Sequence, residues 1–380
     1  TDGLNVTGVS TVATLNATNI VNSTQLSNRN LIINGAMNVA QRGTSSTSTG
    51  YNSVDRFAVN FTGTDEAPTQ AQVDVSSGTT PYTNGFRKAL KVTNGNQTSG
   101  AGADDYVYIA QKFESQDISN SGWNYLSSSS FITLSFWVKS SVAQNFYGYV
   151  RTHDGTKYNY PFETGSLTAD TWTKITKTIA GNSNIQIDND ANTGFEVVIA
   201  PFLGTNDTAS VTLNQWVAWN SGVNRTPDNT TTWYTTNDAT FEITGVQLEV
   251  GSAATPFEHR SYGDELLRCQ RYYHVLIDGD NSTDSFGNAT CYNSTSMHFV
   301  YQLSPQMRTT PTLDYTTGSN YYNAFQNNTN DTFDQWSMVG NSHPRAVDLM
   351  ASSGVSVMSG ASALLRINNA SAKIRFTAEL

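Results

Sequence analysis

Between residues 28 and 260 the chain is a succession of short apolar or alternating runs separated by turn-rich patches, with no helical period between them. Such runs occupy residues 56–61, 88–92, 106–110, 131–139 and 195–200. Residues 241–249 alternate most cleanly. Phe241, Ile243, Val246 and Leu248 fall on one side, and a break near Gly245 fits a β-bulge. Strands that follow one another without crossover helices predict an all-β sandwich or jelly roll. The 380 residues can bury a large core, and aromatics at 11% supply area that offsets chain entropy.

Polarity comes from Ser, Thr and Asn, because charged residues are only 14% against roughly 25% in an ordinary domain. With 21 basic and 31 acidic residues the net charge is −10, and no basic run occurs. That balance excludes nucleic acid and an anionic membrane as main partners. No apolar stretch approaches the ~18 residues of a membrane-spanning helix.

Four regions follow from the pattern. Residues 1–27 hold no aromatic and one charge, Asp2, and residues 4–9 are echoed at 15–20. Their apolar positions Leu4, Val6, Val9, Val12, Leu15, Ile20 and Val21 recur too steadily for a solvated linker. They predict an extended stem intertwined with identical copies, and hence a homotrimer. The start at Thr1 points to an upstream portion. Residues 28–260 form the sandwich. Residues 261–274 form a helical joint, with Leu266, Cys269 and Tyr273 as one apolar stripe. Residues 275–380 return to β signals and form a C-terminal β-sandwich tip.

The chain shows no G-x-S-x-G nucleophile turn, and its five histidines lack zinc spacing. Residues 278–284 partly resemble a calcium loop, but the Gly at the sixth place and the Glu at the twelfth are missing. Carboxylates are scattered along the chain, and no local pattern pairs two of them about one bond. The reading is therefore a non-catalytic chain with no cofactor and no metal. Cys269 and Cys291 make no disulfide framework, and reduced thiols are expected. The abundant Asn-x-Ser/Thr sequons follow from a composition rich in those residues.

Aromatics in polar surroundings are what remain. Trp216, Trp219, Trp233 and Tyr234 flank the loop 221–232, and Tyr321, Tyr322, Phe325, Phe333 and Trp336 crowd residues 318–341. A flat ring meets the C–H face of a sugar while short amides and carboxylates meet its hydroxyls. Candidate glycan contacts are thus Tyr321, Tyr322, Phe325 and Trp336 in the tip, and Trp216 and Trp233 in the sandwich. The alternative is that these rings pack a core or a seam between subunits.

Several blocks resemble a known family. Residues 30–43 (NLIINGAMNVAQRG) and 53–57 (SVDRF) are similar to the opening of a domain common in tail-fibre and receptor-binding proteins of tailed bacteriophages, especially marine ones. Residues 245–251 and 255–260 resemble its closing strand, residues 265–273 its short helix, and residues 305–312 and 376–380 its distal domain. The sandwich also resembles jelly-roll carbohydrate-binding modules at Asn34-Gly35, 89–92 and 134–139. The stem resembles repeats in cyanophage structural proteins. These resemblances imply a trimeric virion fibre, joined at its N-terminus to an upstream virion protein, that attaches to host-surface glycan. A capsid-decorating fibre and a tailspike depolymerase are the alternatives. The motifs are scaffold motifs and transfer no ligand residues.

Overall fold

A computed structural model describes residues 28–380 except Ser221 and residues 280–282. The expected stem, residues 1–27, lies outside the described residues, as does part of the calcium-like loop. The architecture is all-β, a jelly-roll-like sandwich followed by a short helix and a second β-unit.

The sandwich has two six-stranded antiparallel sheets. One is ordered Ser45–Ser46, Thr69–Asp74, Lys88–Thr93, Thr240–Val250, Phe131–Ser140, Thr173–Ala180. The other is ordered Val217–Ala218, Tyr158–Ser166, Asn145–Thr152, Thr193–Leu203, Tyr106–Glu114, Ala58–Thr62. Alternation sends Leu134, Phe136 and Val138 inward from the first, and Phe146, Val150, Phe195 and Val197 inward from the second. Their rings interlock, as where Phe146 meets Phe241 edge-on at 4.9 Å. The expected bulge is present: the pairing of Thr240–Val250 with Phe131–Ser140 shifts between Thr244 and Gln247, and Gly245 has φ +62°. Strands Asn145–Thr152, Tyr158–Ser166 and Thr173–Ala180 complete the sheets where the sequence reading had placed none.

The helix is Tyr262–Gln270, shorter than the expected 261–274. Ser261 caps it by accepting from Asp264 N at 3.1 Å. Tyr273 and His274 open the next strand instead, because Tyr273 pairs with Thr377. The buried residues of the helix are Glu265 and Cys269, while Leu266 is only half-buried. The expected Leu266 stripe is thereby corrected: a buried carboxylate anchors this face, and Glu265 Oε1 accepts Asn34 N at 2.6 Å. Cys269 and Cys291 are buried and unpaired.

The C-terminal unit joins a three-stranded sheet (Tyr273–Asp278, Lys373–Thr377, Thr312–Tyr315) to a seven-stranded one. Residues 318–341, where the tip rings crowd, contain three strands. Strands Tyr322–Gln326 and Thr329–Phe333 form a hairpin across Asn327 and Asn328, whose φ values of +46° and +59° suit a two-residue turn of the primed type.

Charged side chains close the joint between the two units. Arg56, 1% exposed, pairs with Glu379, stacks 3.4 Å over the Tyr272 ring and donates to Lys112 O at 2.7 Å. Arg42 reaches Glu379 at 3.1 Å and lies 3.6 Å over Tyr273. Fully buried Glu114 accepts from Arg271 at 2.6 and 2.7 Å and from Tyr272 Oη at 2.6 Å. Burial opposes its charge, but Arg271 and Tyr272 prevail and hold it below the usual carboxylate range. Blocks that resemble phage-fibre sequences meet here: Arg42 and Arg56 pair with Glu379, and Arg308 donates to Ala378 O, while Arg260 bonds Ile32 O beside the helix.

Candidate functional site

Side chains that point away from the sandwich core form a polar aromatic face on the second sheet. Cross-strand register sets its rows. Lys112, Glu196 and Arg151 are neighbours on three adjacent strands, and Ala110, Val198 and Tyr149 form the next row. Ala200 sits beside Tyr147, and Leu203 beside Tyr106. The small residues Ala110, Val198 and Ala200 make a floor against which Tyr106, Tyr108 and Tyr149 pack. The rings thus cover an aliphatic floor and give the face an amphipathic character.

The connection after Leu203 returns over this sheet and brings in Trp219 and Arg225. Trp219 lies 6.3 Å from Tyr149, and the Arg151 guanidinium lies 4.2 Å over its ring. Arg225 sits 5.7 Å from Tyr106, 6.0 Å from Tyr108 and 6.0 Å from Trp219. Tyr106 and Tyr108 have ring centroids 5.2 Å apart and are half-buried. Both cations are fixed by carboxylates. Arg151 pairs with Glu196, and Arg225 Nη2 reaches Asp207 Oδ1 at 2.7 Å. Glu196, 2% exposed, also faces His153 Nε2 at 3.1 Å.

These contacts fix the ionisation of the face. Burial would raise the Glu196 carboxyl, but His153 and Arg151 outweigh it and bring it down to about 2. Burial, then the Glu196 charge, lifts the Tyr108 phenol to about 12 and Tyr149 further. The Tyr108 and Tyr149 phenols therefore stay neutral, and Glu196 stays ionised opposite Arg151. Planar guanidiniums held against rings offer N–H donors in a defined plane. The arrangement suits recognition of a hydroxylated ring. Among the described residues no three His, Cys, Asp or Glu side chains gather as a metal-holding group.

The sequence-derived candidates lie elsewhere. Tyr322, Trp336 and Trp233 are 0, 3 and 0% exposed, and the stacking role expected of them is corrected to core packing. Trp336 meets Phe333 edge-on at 5.0 Å and Tyr322 at 5.8 Å, and the Tyr322 hydroxyl lies 2.7 Å from Thr316 O. Trp233 donates to Thr240 O at 3.1 Å beside Phe241. Tyr321 is half-buried against the same core as Tyr322. Phe325 points to the other side of its sheet, covered by the Arg366 guanidinium at 3.9 Å. Trp216 packs on the sandwich core, donating to Ala180 O at 2.7 Å, while Trp219, three residues on, joins the polar face. Sequence reasoning missed Tyr106, Tyr108, Tyr149, Arg151 and Arg225. A usable signal was present: Tyr147, Tyr149 and Arg151 share one parity, opposite to apolar Phe146 and Val150.

No sequence family matches this chain, and no curated protein does. Solved structures to which the chain is similar include carbohydrate-binding modules. A family 16 module is 12% identical, covering 47% of this chain and 84% of its own, with TM-score 0.25. The N-terminal cellulose-binding domain of β-1,4-glucanase C from Cellulomonas fimi is 12% identical over 57% and 99%, with TM-score 0.27. A family 11 module from Clostridium thermocellum, solved with a mixed-linked β-1,3-1,4 tetrasaccharide, is 11% identical over 57% and 98%, with TM-score 0.26. Likeness at this level carries no argument about ligand or activity in this chain, and the strand pairing itself defines the fold.

Proposed function

We propose that this chain is a non-catalytic glycan-binding protein whose outer sheet face, with Tyr106, Tyr108, Trp219, Arg151 and Arg225, holds a neutral polysaccharide chain. The observation that carries this is the half-buried Tyr106–Tyr108 pair beside the Arg225 guanidinium, on a strand-built surface where Arg151 lies over Trp219. Rings give stacking area with few torsions to order, and the guanidinium N–H groups meet hydroxyl oxygens. Both arginines already face carboxylates, which favours a ligand read through its hydroxyls. A glycosidase keeps one carboxyl protonated near neutral pH, whereas Glu196 is held ionised and paired. The ring cluster thus supports binding without cleavage. In the finer reading, which rests on the sequence resemblance, the chain is a trimeric bacteriophage fibre that attaches the virion to host-surface glycan.

Affinity electrophoresis of the full chain through gels containing neutral polysaccharides tests the reading. At least one polysaccharide should retard the protein. The pair Tyr108→Ala and Trp219→Ala should weaken retention more than tenfold with the melting temperature held. No reducing ends should be released. Retardation by none, or undiminished retardation of the double variant, refutes the face as the site.

A further inference from the structure

We infer that the opposite sheet carries a second, independent ligand site, a recess for one pyranose bearing a carboxylate. The inference does not rest on the polysaccharide reading of the first face. The recess lies on the outer side of the sheet that contains Phe131–Ser140, with a volume of about 190 Å³. Pockets for drug-sized ligands run to ~300–1,000 Å³, so this one suits a single ring.

Its floor is the half-buried indole of Trp137, whose cross-strand neighbours are Lys174 and Thr244. One wall is an aromatic group: Phe86 meets Phe257 edge-on at 4.8 Å and His259 at 5.2 Å. The bulge beneath makes room for it. A Cβ on Gly245 would come within 2.5 Å of the Phe86 ring. The wall is pinned from the other side, since His259 Nε2 lies 2.9 Å from the carbonyl of Asn84. A carbonyl only accepts, so Nε2 carries the proton of this contact. The wall is therefore pre-formed.

Charge sets the class of ligand. Lys139, on the same face, is neutralised by Glu242 at 3.0 Å. Lys174 lines the recess, is exposed, and has no ion-pair partner among the described residues. An unpaired ammonium beside an indole face fits a sugar that presents a hydrophobic C–H side and a carboxylate at its edge.

Titration of the full chain with methyl β-D-glucuronide and methyl β-D-glucoside, followed by NMR and calorimetry, decides the matter. The glucuronide should bind saturably, and the glucoside at least tenfold more weakly. Lys174→Gln, an exposed change that leaves folding intact, should reduce glucuronide affinity to the glucoside level. Trp137→Ala should remove binding of both. Tyr108→Ala with Trp219→Ala should change neither, so failure at the first face leaves this site standing. Equal affinity for the two sugars, or undiminished glucuronide binding by Lys174→Gln, overturns the inference.

Discussion

The joint and the outer sheet face use the same residue types to opposite ends. Both stack arginines on tyrosine or tryptophan rings, and both pair those arginines with carboxylates. At the joint, Arg56 is 1% exposed and its partners come from elements far apart in sequence: Glu379, Tyr272 and the Lys112 carbonyl. The cluster is closed on every side and serves to lock two units. On the face, Arg151 and Arg225 are stacked on rings that stay half-open, and their carboxylates sit on the same sheet or in the adjacent connection. The lesson is that a cation–ring–carboxylate cluster becomes a binding surface when one side of its rings is left for a ligand.

The largest effect that separates the two regions is expected from Glu379→Gln. It leaves Arg56 and Arg42 facing an uncharged amide in a buried setting. Removing one partner of a buried pair costs about 3–5 kcal/mol. Thermal unfolding should report a large fall in melting temperature. Polysaccharide retention measured well below that temperature should hold, because Glu379 pairs with Arg42 and Arg56 and not with the arginines of the face. Loss of retention by a folded variant would merge the two regions into one functional unit.

Arg151→Lys is the intermediate test, directed at the face. Lysine keeps the charge opposite Glu196 but loses the plane that lies 4.2 Å over Trp219. Glycan affinity should drop about tenfold, near 1.4 kcal/mol. Stability should change less than affinity does, since a cation still faces the buried Glu196 carboxylate. A large fall in melting temperature with normal affinity would make Arg151 structural, as Arg56 is.

The sequence disclosed the fold better than the site. Phe241, Ile243, Val246 and Leu248 alternate about a break at Gly245, and the observed strand has that register and bulge. Motif blocks were visible but could not announce their meeting place, because Asn34 bonds Glu265 across 231 positions and Arg56 meets Glu379 across 323. The tip rings were misassigned for a physical reason. Tyr322 and Trp336 stand among polar neighbours in sequence, yet strand alternation turns Tyr322 inward, and Trp336, outside any strand, packs edge-on against Tyr322 and Phe333. The Asn327-Asn328 turn, which makes a hairpin of that segment, was the overlooked local signal. The face was missed because its residues lie on strands Tyr106–Glu114 and Asn145–Thr152, the second of which had not been recognised as a strand at all.

The smallest expected effect concerns pH, and it too divides the regions. Asp55 is 1% exposed at the joint, where burial lifts its carboxyl to about 6 against the pull of Gln41 and Arg42. The folded value lies above the unfolded one, so the folded state binds more protons between them. Stability therefore rises as pH falls from about 6 toward the ordinary carboxylate range, and is lost as pH rises through 6. Between pH 7 and 5 the gain should be about 1 kcal/mol. Glu196 on the face behaves in the opposite sense. Its carboxyl is depressed to about 2, so its contribution persists to pH 5 and fades only in stronger acid. Melting curves at pH 5 and 7 for the native chain and for Asp55→Asn isolate the effect, since other groups cancel in the difference. The variant should lose about 1 kcal/mol of the pH-dependent gain, while glycan affinity stays level between the two pH values. An unchanged pH slope in Asp55→Asn would mean that Asp55 keeps its charge, with Arg42 at 4.0 Å holding it. The joint and the face would then share one electrostatic design.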